Sequence, residues 1–173
     1  MFIGLLEQTA SRLRCFDPEL VHGVLQTEEY ARTVLSAGGF LAPDVVDQRL
    51  AFRMDRARRV LDNRPDLTVI LGAGALSRVV GSPDVMAAQL DHLRRLHREG
   101  LATVRVLPWT SGPYPTRGSF ALLDFSDEED PSVAYLEFSM GARYVEQPAQ
   151  VSTYEKVFDI INGQSVGIEE WEQ

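Results

Sequence analysis

Cysteine is almost absent from this chain. Cys15 is the single thiol among 173 residues, so no disulfide can close within the chain and no cysteine-based metal cluster can assemble. That usage fits a reducing cytoplasm. Positive charge is also in short supply: 17 Lys and Arg stand against 25 Asp and Glu, a net charge of −8. Such a balance does not grip a phosphate backbone, which excludes a chain whose main work is binding nucleic acid. Long apolar runs are missing too. None approaches the roughly 18 residues of a spanning helix, and no basic segment precedes the apolar N-terminal residues as it would in a secretory leader. A soluble, cytoplasmic protein with no membrane contact is expected.

Signatures of common catalysts are lacking in the same way. GAGALS follows an apolar run but lacks the third glycine of a dinucleotide-binding turn, and no nucleophile elbow occurs. His92 and His97 are five residues apart rather than at the i, i+4 spacing of a helical metal pair, and His22 is remote in sequence. Neither a metal nor a cofactor is expected.

What is present is an ordinary globular composition, 45% apolar, in a chain of one-domain length. Residues 1–173 therefore read as one domain, with the tail 165–173 expected to be loosely held. The best-signalled stretch is 20–37, LVHGVLQTEEYARTVLSA. Thr27 is a favoured N-cap type, Glu28 and Glu29 complement the dipole of the first turn, and Tyr30 and Val34 recur at helical spacing. Gln26, Thr27 and Tyr30 form a polar trio that reads either as a docking loop or as one wall of a pocket.

The remaining elements follow in order. ASRLRCFD partly alternates, with Leu13 and Cys15 apolar against Arg12 and Arg14, as a strand with one polar face does. Val45 to Leu61 is helical, its apolar stripe on Val46, Leu50, Met54 and Leu61. Arg49, Arg53 and Arg56 share another face, which reads first as solvated, with Asp47 and Asp55 offsetting its charge, and second as an anion site. DLTVILG (66–72), a helix from Asp84 to Glu99 and LATVRVLP (101–108) make a parallel βαβ unit. SFALLDF (119–125) and SVAYLEF (132–138) make a hairpin, and a last helix runs from Ala149 to Ile161. The fold class is α/β, one mixed sheet of about five strands flanked by helices.

Chemistry-bearing residues are scattered. Loops at the C-terminal ends of parallel strands hold ligands in open α/β sheets, which singles out 109–120 with Trp109, Tyr114 and Arg117. Glu137 shares a strand face with Tyr135 and Val133 and can point inward, where a carboxylate needs a partner or a raised pKa. Glu7 follows an apolar run. A shared site of Glu7, Gln26, Tyr30, Tyr114, Arg117 and Glu137 requires Glu137 and Tyr114 on the same side of the sheet.

GVLQTEEYARTVL resembles the PGLLQT-x-x-YAR segment of a domain of unknown function from actinobacteria. Further segments agree in order: RLAFRMDR, ALSRVVGSPDVMAAQLDHL, VRVLPWTSGPYPTRGSFALLDF and AYLEF. In that family the domain forms the C-terminal half of XRE-type helix-turn-helix regulators, described as Scr-type or antitoxin-like. The resemblance implies a regulatory domain that binds a small molecule or a partner, without the DNA-binding half. The partner implied is a small protein or a separately encoded helix-turn-helix protein. Three departures stand out: His22 where proline is usual, Ala57 where glutamine is usual, and Ala73 near a usual glutamate. With the heavier 109–120 loop, they suggest a pocket opened for an apolar or aromatic ligand. Ligand contacts are then expected from Gln26, Thr27, Tyr30, Trp109, Tyr114 and Arg117. The alternative is a stand-alone, cofactor-independent cyclase or isomerase of specialised metabolism, with Glu137, Glu7, His22 and Tyr114 as acid/base candidates.

Overall fold

A computed structural model of the protein describes residues 3–116, 118–127, 130–138 and 141–172. The chain opens with α1 (Ile3–Thr9) and β1 (Arg12–Asp17). A short 3-10 turn at Gly23–Leu25 leads into α2 (Glu28–Ser36), and α3 (Pro43–Asp62) follows. Next come β2 (Asp66–Gly72), α4 (Ala73–Ser77), α5 (Pro83–Arg98) and β3 (Thr103–Leu107). The second half holds β4 (Phe120–Asp124), β5 (Val133–Phe138), β6 (Gly141–Val145), α6 (Pro148–Gln164) and β7 (Val166–Gly167).

All strands join one mixed sheet in the order β6-β5-β4-β1-β2-β3-β7. β1, β2 and β3 are parallel; β4 to β7 pair antiparallel to their neighbours. The mixed α/β sheet, the β2–α5–β3 unit and the β4–β5 hairpin match the expectation, but the sheet has seven strands, not about five. The two extra strands are short edge pieces. β6 begins at Gly141, whose φ of 154° needs a glycine, and carries little apolar alternation. β7 is two residues long and leaves no periodic trace. It also fixes the chain end expected to be loose: Val166 and Gly167 pair with β3, and Ile168 and Trp171 are buried in the core.

Helices α2, α3 and α5 cover one sheet face, over Leu13, Cys15, Val69, Val104, Ala121 and Leu123. Helix α6 covers the other, over Phe16, Ile70, Phe120 and Leu122. β1 is central and covered on both faces, so its alternation does not mark a wet side. Arg14, on the polar side of that alternation, is buried under α6, where it pairs with Asp124 and Glu155 at 3.0 Å each.

The buried stripe of α3 also differs from the expected one. Val46, Leu50, Ala57 and Val60 are buried, whereas Met54 and Leu61 are half-buried. Arg53 falls in the middle of that stripe, three residues after Leu50 and four before Ala57, and Arg56 beside it. The solvated arginine face is therefore corrected: these two guanidiniums point into the protein, because α3 packs edge-on to the loop after β1. Arg49 alone of the three is exposed.

Candidate functional site

The loop after β1 builds the site. Residues 18–27 leave the C-terminal end of the strand and turn over the sheet, and three side chains hold them. The Tyr30 hydroxyl accepts from the Val21 N–H at 3.1 Å, and the Gln26 amide donates to the Val21 carbonyl at 2.7 Å. Gln89 of α5, fully buried, donates to the Leu25 carbonyl and accepts from the Thr27 N–H, at 2.8 Å each. Thr27 caps α2 through its hydroxyl, which accepts from the Tyr30 N–H at 3.4 Å. Local sequence thus made a helix start, and two distant glutamine bonds made it a fixed loop.

Between this loop, α3 and strands β4 and β5 lies a cleft of about 470 Å³. It opens where the sheet changes from parallel (β1–β2) to antiparallel (β1–β4) pairing, at the C-terminal end of a parallel strand. Its charged lining comes from both halves of the chain: Glu7, Asp17, Glu19, His22, Arg53, Arg56 and Glu137. Leu20, Val21 and Val34 supply apolar wall.

An ion-pair network forms its floor. Arg56 donates from Nε to Oε2 of Glu7 at 2.6 Å and from Nη2 to Oε1 at 3.0 Å. Glu7 is 2% exposed, and this fork pairs both of its carboxylate oxygens. Burial pulls the Arg56 pKa down, but Glu7 outweighs it and the net shift is upward. His22 donates from Nδ1 to Oδ2 of Asp17 at 2.8 Å, and its Nε2 is 3.9 Å from Glu7. Burial opposes its protonation. The adjoining Cys15 sulfur and Asp17 carboxylate outweigh burial, holding the imidazolium pKa well above its ordinary value. The φ of His22 is −52°, a value proline also takes, so the backbone does not require histidine; its side chain is what the position adds.

Arg53 is placed differently. It donates to the Gln26 amide oxygen at 2.7 Å, and no described carboxylate forms an ion pair with it. Burial lowers its pKa, Arg56 lowers it further, and Glu137 acts in the opposite sense. Tyr135 is pushed up to about 12, first by burial and then by Glu137, so its phenol stays a hydrogen-bond donor.

A family model described as a domain of unknown function (DUF5753) matches residues 3–170. The chain belongs to the DUF5753 family. A comparison with curated proteins finds no match.

The DUF5753 fold brings together four of the residues singled out in the sequence, Glu7, His22, Gln26 and Glu137, and separates the rest. Thr27 and Tyr30 hold the loop from behind; Tyr30 is fully buried. Tyr114 packs edge-on against Phe16 at 5.5 Å, on the α6 side of the sheet, whereas Glu137 shares the opposite face with Tyr135 and Ala121. The shared site that included Tyr114 is thereby removed. Trp109 is 76% exposed and leans over Gly74, outside the cleft. Arg117 lies outside the described residues, although its neighbours Gly118 and Ser119 line the cleft. The anchoring loop is the one after β1, not 109–116.

Ala57 and Ala73 are core residues and open no volume at the cleft, so these departures do not support an apolar pocket; the lining is mixed and strongly charged. Asp17 and Tyr135 went unseen as site residues, and Arg53 and Arg56 were set aside in favour of a solvated face. One signal existed: two arginines inside the apolar period of α3, with an acidic residue upstream to receive one. Among the described residues, no group of three His, Cys, Asp or Glu side chains could hold a metal ion, and no helix is long and apolar enough to cross a membrane.

Proposed function

We propose that this DUF5753 domain is a regulatory, small-molecule-binding domain of the cytoplasm that does not itself contact DNA. Its ligand occupies the cleft at the end of β1. The observation that carries this reading is Arg53, a half-buried guanidinium facing a cleft of ligand size, whose hydrogen-bond partner among the described residues is a neutral amide. Desolvating a cation without an anion is costly, and proteins keep such an arrangement where something else completes it.

A regulatory output is supported by the likeness of residues 23–35 to the effector half of actinobacterial XRE-type regulators. The ligand would touch α3 and the loop that starts α2. Both helices present exposed outer faces to a small partner protein or a separately encoded helix-turn-helix protein. The net charge of −8 suits a piece that leaves DNA to another module. Native mass spectrometry after incubation with a metabolite extract tests the cleft. A bound mass lost in Arg53→Gln supports it; identical spectra for the two proteins overturn it.

His22 favours a second reading, a cofactor-independent cyclase or isomerase of specialised metabolism. Its imidazolium lines the cleft beside Asp17 and Glu7, placed to exchange a proton with a bound molecule. Turnover of a cleft-bound compound at an unchanged rate in His22→Gln removes His22 as its acid/base group, and a cleft-bound compound that is returned chemically unchanged rules that reading out.

A further inference from the structure

Charge pairing inside the cleft is incomplete in a specific way. Glu7 is taken by Arg56, Asp17 by His22, and Glu19 at the rim by Arg78. Two charged groups of the described lining remain without an ion-pair partner, the Arg53 guanidinium and the Glu137 carboxylate. They are opposite in sign and not in contact. Glu137 stands at the exposed end of β5, and its field reaches Arg53 and Arg56. With its internal pairs discounted, the cleft is neutral overall but holds one separated positive and one separated negative group.

The geometry points to a small zwitterion as the occupant: a carboxylate on Arg53, an ammonium on Glu137, and an apolar or aromatic body against Leu20, Val21 and Val34. This inference rests on the cleft being the ligand site. A purely apolar molecule would desolvate Arg53 without supplying an acceptor. A dianion would satisfy Arg53 but bring its second charge among the carboxylates of Asp17, Glu19 and Glu137, and like charges at close range select against it. A simple cation would satisfy Glu137 and leave Arg53 as it was. A zwitterion completes both groups and adds no net charge. A guanidinium can take its carboxylate in two parallel hydrogen bonds, which also fixes orientation.

The test uses the full chain labelled with ¹⁵N and three probes of one shape: L-phenylalanine, 3-phenylpropanoate and phenethylamine. The readout is the amide shifts of Gly23 and Ser119, both in the cleft lining. The expected result is that phenylalanine binds about tenfold or more tightly than either singly charged probe. Arg53→Gln should remove its advantage over phenethylamine, and Glu137→Gln its advantage over phenylpropanoate. Because Glu137 is exposed, Glu137→Gln keeps the proposal falsifiable even where Arg53→Gln folds poorly. Phenylpropanoate binding as tightly as phenylalanine overturns the zwitterion. So does a failure of all three probes to move either amide up to roughly 10 mM. Neither result touches the cleft itself as a ligand site, which stands or falls on the Arg53-dependent bound mass.

Discussion

Glu7 and Arg56, 49 residues apart, meet in a two-point ion pair with bonds of 2.6 and 3.0 Å. Their side chains are 2% and 18% exposed, so neither is well solvated. Arg56→Ala should destabilise the fold by about 3 kcal/mol, because it strands a buried carboxylate. Glu7→Gln combined with Arg56→Met should cost less than the two single changes summed, since no orphan charge remains. Urea unfolding of the wild type, the three single variants and the double variant measures both; additive costs would show that the pair is not coupled.

The raised His22 pKa has a definite consequence for stability against pH. The folded state holds the proton more tightly than the unfolded chain. The stabilisation is therefore complete below the unfolded value of about 6.5 and is lost as pH rises through the folded value. His92 acts in the opposite sense: burial and then Arg95 lower its pKa, so it removes stability as pH falls below about 6.5. Above that pH the two effects separate. Urea midpoints of the wild type should decline on the alkaline side of neutrality, and the His22→Gln curve should be flatter there; parallel curves would contradict the assignment.

Gln89 bonds the site loop to α5 through both ends of its amide. Gln89→Leu keeps the volume close but leaves the Leu25 carbonyl and the Thr27 N–H without a partner. A cost of about 2 kcal/mol is expected. Hydrogen exchange should show the Thr27 amide losing its protection by more than the global change accounts for. Equal losses at Thr27 and in β2 would mean that the bond does not hold the loop locally.

Gly72 is required by proximity rather than by its dihedral angles. Its φ is −65°, open to any residue, but a Cβ there would lie 2.5 Å from the Pro18 carbonyl oxygen and 2.8 Å from the Pro18 Cα. Gly72→Ala should push the Asp17–Pro18 segment away from β2 and cost about 2 kcal/mol. Thermal melting together with the His22 ring signals in NMR would detect both effects. An unperturbed His22 environment would show that the segment adapts without disturbing the cleft.

Much of the architecture was legible in the sequence because it depends on local patterns. The β-branched run 66–72 became β2 with the same limits, and α5 (Pro83–Arg98) lies within one residue of the expected Asp84 to Glu99 at each end. Thr27 caps α2 as its type predicts. His22, Glu7 and Glu137 were picked out for unlike reasons, and all three line the cleft. Arg53 and Arg56 were misread because a three-to-four residue spacing of arginines is what a solvated helix face also shows. The orientation of α3 against the loop after β1 distinguishes the two, and that is a tertiary fact. Tyr114 was misplaced for a related reason: a loop without periodicity does not reveal the side of the sheet on which its aromatic ring lands.

By itself, the sequence determined the longer helices and the five central strands, the mixed α/β class, and the want of disulfides, since each follows from neighbours in the chain or from simple counts. The tertiary structure decided which charges are paired. β1 is central because β2 and β4 flank it, and this buries Arg14, a polar position of the strand, against Asp124. Arg56 is neutralised by Glu7 because α1 packs against α3, and His22 meets Asp17 because the loop turns back over the end of β1. Coulomb energies depend on distance through space and on burial, not on separation along the chain. For that reason the leftover pair, Arg53 and Glu137, could be found only in the folded protein.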